Sequence, residues 1–345
     1  MDFIDSAMNP NVRDDDLFKP RIAVCGVGGG GSNTIQRLCG MGVRGASLIA
    51  VNTDAKHLNT MDQVVKRILV GGSITRGLGA GGFPEMGAKA AEISRGAIAG
   101  ALEGYNLVFL TAGMGGGTGT GAAPVVADVA KKNGAVVVSI VTFPFALERN
   151  RLEVARRGIE ELRKNSDTLI IIDNQKLVTL YPNLAIEQAF RAADEIAARA
   201  VRGISETITM PSLVNLDFAD VKNIMTGGGV AMISVGEGHG TNKVDDVVRD
   251  TLKNKLLDVD FEGANGVLMH ITGGPDMTLG DVNEIGRKLS DVAASNANVL
   301  WGARVDESYT DKVEVIAIFT GVKSQSITGR SEIEQPEDDL GLGRL

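Results

Sequence analysis

The chain has 345 residues, enough at about 150 per domain for roughly two domains, each with its own core. Hydrophobic residues at 43% and charged ones at 23% exclude a disordered or low-complexity chain. Thirty-five Lys+Arg against 43 Asp+Glu leave a net charge of -8, a field that repels polyanions and argues against nucleic acid as a partner.

Residues 1–20 are polar and acidic, with Asp14-Asp15-Asp16, and are expected to form a flexible tail without the basic start of a signal peptide. From Arg21 short β-branched runs alternate with segments of helical period. The runs Arg21–Val27, Ser47–Thr53, Val65–Gly71, Leu107–Gly113, Ala135–Pro144 and Thr168–Asp173 read as strands. Helices are expected near 31–42, 85–103, 118–133 and 149–165. This alternation predicts an α/β domain over 21–183 built on a parallel sheet. Its strands are apolar on successive residues, so helices should cover both faces and ligand should bind at the strands' carboxyl ends. The longest apolar run, Ala135 to Leu147, is broken by Ser139, Thr142 and Pro144 and does not suit a membrane span.

A long amphipathic central helix follows within 184–210, between Pro182 and Pro211. Beyond it, over 211–322, the strands Ala231–Val235, Gly266–Gly273, Ala297–Val305 and Lys312–Val322 mix with helices near 243–256 and 278–295. That pattern suits a smaller α+β C-terminal domain with a mixed sheet. Residues 323–345 turn polar and end in Leu340-Gly-Leu-Gly-Arg-Leu345, a second flexible tail and a candidate docking peptide. Cys25 and Cys39 lack CxxC spacing and read as reduced, packed thiols of a cytosolic protein; His57, His239 and His270 lack metal-ligand spacing.

Glycine is the outlier, 44 residues where about 7% is usual, and it is clustered. Gly26-Val-Gly28-Gly29-Gly30-Gly31-Ser-Asn33 and Gly113-Met-Gly115-Gly116-Gly117-Thr118-Gly119-Thr120-Gly121 each join a strand to a helix. There, bare amides and a helix N-terminus accept an anion. Gly71-Gly72 and Gly77-Leu-Gly79-Ala-Gly81-Gly82 add a third such loop, and three loops suit a triphosphate. No GxxxxGK[ST] occurs, so phosphate charge falls to amides and a metal, expected to be Mg²⁺ held by phosphate oxygens and water without a protein cage. Gly26, Gly28 and Gly31 also satisfy GxGxxG, and Asp54 follows the next strand, which keeps an NAD-dependent oxidoreductase open as an alternative.

Gly115-Gly-Gly-Thr-Gly-Thr-Gly121 resembles the signature loop of the tubulin/FtsZ superfamily of GTPases. Gly26–Gly31, Asn52-Thr53-Asp54 and Asn215-Leu-Asp-Phe-Ala-Asp220 agree with its FtsZ branch, in order, from about Arg21 to Val322. The resemblance implies a GTP-binding domain, a central helix and a smaller C-terminal domain. It also implies head-to-tail self-assembly, GTP hydrolysis at the subunit junction, and a cytoplasmic role at the division site or in cell-shape control. By it Gly28, Gly29, Gly30, Asn33, Gly115, Gly116, Gly117, Thr118, Gly119 and Thr120 would line the phosphates, with Asn52, Asp54, Gly79 and Gly81 on neighbouring loops. Glu148, Arg151 and Asn174 would meet the ribose or base, Phe190 would stack on guanine and Asp194 would read it. Many members place the arginine one position beyond Arg151. On physical grounds Asp194 projects from the edge of the apolar stripe, where guanine's N1–H and 2-amino group could satisfy a costly carboxylate; an ion pair with Arg191 is the plainer alternative.

The nucleotide-binding half offers no evident activator of water. Asp217 and Asp220, at i and i+3 on a helical turn with Asn215 beside them, could orient one. Asp217 as N-cap with Asp220 in the first turn serves equally as plain helix capping. The resemblance implies that these acids act on the nucleotide of the adjacent protomer. A nucleotide-gated scaffold without catalysis is a third reading. The C-terminal tail is expected to offer a membrane-tethering adaptor its ligand, with no insertion of the chain itself.

Overall fold

The computed structural model describes residues 20–180, 182–183, 185–209, 214, 216–253 and 261–322. The two tails, Asn215 and the expected start of the central helix at Leu184 lie outside these, apart from residue 20 at the end of the first tail.

Runs buried on successive residues build the sheet. β1 (Ile22–Val27), β2 (Ala46–Asn52), β3 (Lys66–Leu69), β4 (Leu107–Gly113), β5 (Val136–Phe143) and β6 (Thr168–Asp173) pair in parallel in the order β3-β2-β1-β4-β5-β6. Successive residues of β1 enter different cores: Ala23, Cys25 and Val27 join one cluster, Ile22 and Val24 the other. The connecting helices are α1 (Gly28–Gly40), α2 (Ala55–Asn59), α3 (Gly72–Thr75), α4 (Pro84–Ile93), α5 (Arg95–Ala101), α6 (Thr118–Lys132) and α7 (Asn150–Asn165). α1 and α2 join one core and α4 to α7 the other, so both sheet faces are covered. Cys25 and Cys39 are free thiols, and burial pushes Cys25 up to about 12.

Three local differences from the sequence reading fall beside the glycine loops. α1 starts at Gly28, so the first glycine loop is itself the opening turn of the helix. The helix expected over 85–103 is two, divided at Ser94, whose hydroxyl accepts from Gly71 N–H at 3.0 Å. The short α2, with Asp54 as its cap, was not anticipated.

After α8 (Asn174–Leu180), α9 (Ile186–Thr209) runs about 36 Å at 1.5 Å per residue. Ala193, Ala197, Ala200, Val201 and Ile204 form its buried stripe. At its far end Thr209 packs against Gly45, just before the start of β2. α10 (Phe218–Met225) leads into β7 (Gly229–His239), followed by α11 (Lys243–Lys253), β8 (Gly266–Gly273), α12 (Leu279–Ser290), β9 (Asn298–Val305) and β10 (Lys312–Thr320). These strands do not form a separate sheet. β7 pairs in parallel with β6 at Thr168↔Gly229 to Ile170↔Ala231, and one ten-stranded sheet continues as β7-β10-β8-β9, with β10 antiparallel to both neighbours. Pairing β6 leaves no open strand edge between the halves.

Candidate nucleotide site

The carboxyl ends of β1 and β4 deliver the chain into α1 and α6 within a pocket of about 390 Å³. Neither helix N-terminus carries a side-chain cap or an acidic residue in its first turn. Their first amides therefore stay available, and their dipoles present positive ends to the same cavity. Gly29, Gly30, Asn33, Gly116, Gly117, Thr118 and Gly119 line it, as expected of phosphate loops.

Other predicted loop residues stand behind the lining. Gly28 has φ 71°, and a Cβ there would meet Gly119 N at 2.6 Å, so side chains are excluded where the two loops touch. Gly115, at φ 97°, donates its N–H to the buried Thr120 hydroxyl at 2.9 Å, which turns Thr120 inward to brace the loop. Asn52 is buried too: its Oδ1 accepts from the N–H of Thr53 at 2.9 Å and of Asp54 at 3.3 Å. Asp54 caps α2 by accepting from His57 N–H at 3.0 Å, so its carboxylate is already engaged. Thr53 and Thr118 hydroxyls share a hydrogen bond at 2.6 Å that ties the loop after β2 to the head of α6. Gly79 and Gly81, at φ 91° and 63°, lie on the third loop, whose Ala80 abuts Gly117. Apart from Gly117, Thr118 and Gly119, these residues shape the pocket without lining it.

The far wall comes from β5, α7, α8 and α9. Glu148 pairs with Arg151 at 2.8 Å while accepting Phe145 N–H at 3.0 Å. The buried Asn174 has an Oδ1 without a hydrogen-bond partner among the described residues, an acceptor suited to a sugar hydroxyl. Phe190 meets Phe145 edge to face at 4.9 Å and keeps its ring partly exposed, a platform for a planar base. Asp194 lines the same end, and burial pushes its carboxyl up to about 6 against the opposing charge of Arg37. Arg191 pairs with Glu187 at 2.5 Å, leaving Asp194 free for a ligand donor pair. Gly113, Met114, Thr142, Pro144 and Ala193 complete the lining. Sequence reasoning placed Gly113 and Met114 in the second glycine loop but did not single out Thr142, Pro144 and Ala193 as lining, although the end of the strand Ala135–Pro144 marks the ligand-facing sheet edge.

Asp217 and Asp220 are elsewhere. Asp217 caps α10, accepting Ala219 N–H at 3.0 Å, and Asp220 sits exposed in its first turn. The last carbonyl of α10, from Met225, accepts from the hydroxyl of Thr168 at the beginning of β6, the sheet edge away from the glycine loops. The end of α10 and the pocket thus lie at opposite edges of the sheet. Among the described residues no three His, Cys, Asp or Glu gather to hold a metal, and no helix is long and apolar enough to cross a membrane.

Comparison with known proteins gives consistent matches. Residues 21–182 fit the model of the tubulin/FtsZ family GTPase domain, and residues 229–323 that of the FtsZ family C-terminal domain. The chain is 55% identical over 319 residues to cell division protein FtsZ 2 of Methanocaldococcus jannaschii, covering 92% of this chain and 84% of that one. It is 51% identical over 324 residues to the protein of that name from Haloferax volcanii, covering 94% and 81%. The structure titled as an empty FtsZ dimer from M. jannaschii superposes with TM-score 0.86 at 41% identity, covering 93% of this chain and 100% of the other.

Proposed function

Since this chain belongs to the tubulin/FtsZ family and its FtsZ branch, we propose that it binds GTP in this pocket, polymerises head to tail, and hydrolyses GTP where one protomer docks on the next. The carrying observation is the separation of two half-sites. Uncapped helix N-termini and a base platform lie at one sheet edge, and exposed Asp220 lies beyond the other.

In this reading the amides of Gly29, Gly30, Gly116, Gly117, Thr118 and Gly119 hold the phosphates, with Gly28, Gly79, Gly81, Gly115, Thr120, Asn52 and Asp54 fixing the loops that present them. Arg151, held by Glu148, and Asn174 meet the ribose. Phe190 stacks on guanine, and Asp194 accepts from its N1–H and 2-amino group. The pocket's carboxylates, Glu148 and Asp194, are committed to other work, which fits Mg²⁺ held by phosphate oxygens and water. When bound, the ion neutralises phosphate charge. Asp220, with Asp217 and Asn215, orients a water from the neighbouring protomer onto the γ-phosphorus. The bond to the bridging oxygen breaks, releasing GDP and phosphate.

Exposed Leu78, Phe83 and Leu147 beside the pocket offer apolar surface for that neighbour to cover. The M. jannaschii structure is titled a dimer, and the relatives are named for cell division, which favours a cytokinetic ring in the cytoplasm over a shape-control role. The C-terminal tail would carry the adaptor ligand.

The Asp220→Ala variant tests the shared site. It should bind GTP and form filaments while turnover falls by about a hundredfold or more. Unchanged turnover rejects the role of Asp220, and wild-type assembly without phosphate release would favour the scaffold. Tight nicotinamide-cofactor binding without GTP binding would favour the oxidoreductase.

A further inference from the structure

Past the base platform the hollow continues as a groove between α1 and α9. Asn33 and Arg37 face it one helical turn apart on α1; Phe190 and Asp194 face it one turn apart on α9. The other charges along this groove have partners: Glu187 holds Arg191 at 2.5 Å, and Glu195 holds Arg199 at 2.7 Å. Across the pocket Glu148 and Arg151 neutralise each other at 2.8 Å. Among the described residues Arg37 has no ion pair, and its positive charge is the one that opposes the burial cost at Asp194.

We propose that Arg37 is a positioning residue for base recognition, holding Asp194 in the ionised form that accepts from both guanine donors. A neutral carboxyl would present a proton to the N1–H or the 2-amino group and lose one of the two bonds. The inference rests on guanine nucleotide as the ligand. It assigns Arg37 no contact with the phosphates.

The test is GDP affinity of the full chain as a function of pH for the wild type, Arg37→Gln and Arg37→Lys. Wild-type affinity should be flat at alkaline pH and fall below about pH 6, where Asp194 takes up its proton. Arg37→Gln should move that midpoint upward, binding about threefold more weakly near pH 6.5 and merging with the wild type by about pH 8. Arg37→Lys should restore the wild-type profile. An unmoved midpoint, or a loss equal at every pH, overturns the positioning role. A wild type that binds no GDP at any pH overturns the nucleotide assignment itself, and the inference with it.

Discussion

Arg149 holds φ at 24°, between the turn that carries Glu148 and the start of α7. A side chain in this region costs of order 1–3 kcal/mol, which glycine avoids at the price of about 0.5–1 kcal/mol of extra chain entropy. Arg149→Gly should therefore raise stability by about 1 kcal/mol, read as a higher urea midpoint at unchanged slope. The strain sits beside Glu148 and Arg151, so it helps to fix the wall where the ribose would rest. Asp217 tests how capping and the proposed catalytic role divide at a single residue. Asp217→Asn keeps an acceptor for Ala219 N–H, whereas Asp217→Ala loses it, at a cost of about 1 kcal/mol. Both should slow GTP turnover, and only the alanine variant should also lower the thermal midpoint. Equal turnover in Asp217→Asn and wild type would reduce Asp217 to a cap.

The glycine loops depend on how closely α6 approaches α4. A Cβ on Gly121 would lie 1.9 Å from the Pro84 carbonyl oxygen and 2.7 Å from Ala88 N, both backbone atoms that cannot swing aside. Gly121→Ala should cost about 3 kcal/mol despite alanine's better helix propensity, and should weaken nucleotide binding as the head of α6 shifts. Chemical denaturation and GDP titration of the same variant check both parts. The base end depends instead on α9 packing, where a run of small residues, Ala193, Ala197 and Ala200, lets the helix lie close on the sheet. Asp194 is carried to the pocket by that stripe.

Across the molecule, α9 and the continuous sheet hold the pocket and Asp220 apart, so under the proposed mechanism one chain cannot bring Asp220 to its own pocket. Specific GTPase activity should accordingly rise from near zero in dilute solution as protein concentration increases. A constant specific activity down to the monomer, measured alongside sedimentation, would contradict the shared site. α9 is also tied to the C-terminal strands by charge: Arg199 reaches Glu237 and Glu314, each at 3.1 Å, and Glu206 joins Arg202 at 3.0 Å and Arg304. The interface between the halves is therefore polar as well as sheet-bonded.

Local chemistry determined much of this protein from sequence alone. Consecutive apolar residues set covered parallel strands, glycine runs between strand and helix set amide-rich loops, and the apolar stripe set α9 with Phe190 and Asp194 one turn apart. These are short-range properties, legible wherever backbone freedom and side-chain period are. Tertiary structure decided which loop residues face the cavity and which brace it, because Asn52, Asp54 and Thr120 were equally polar candidates until their hydrogen bonds turned them away. It also decided the joining of both halves into one sheet and contacts such as Arg199 to Glu314, 115 positions apart. Such pairings depend on how distant segments meet, and a run of residues carries no local trace of its partner across the fold.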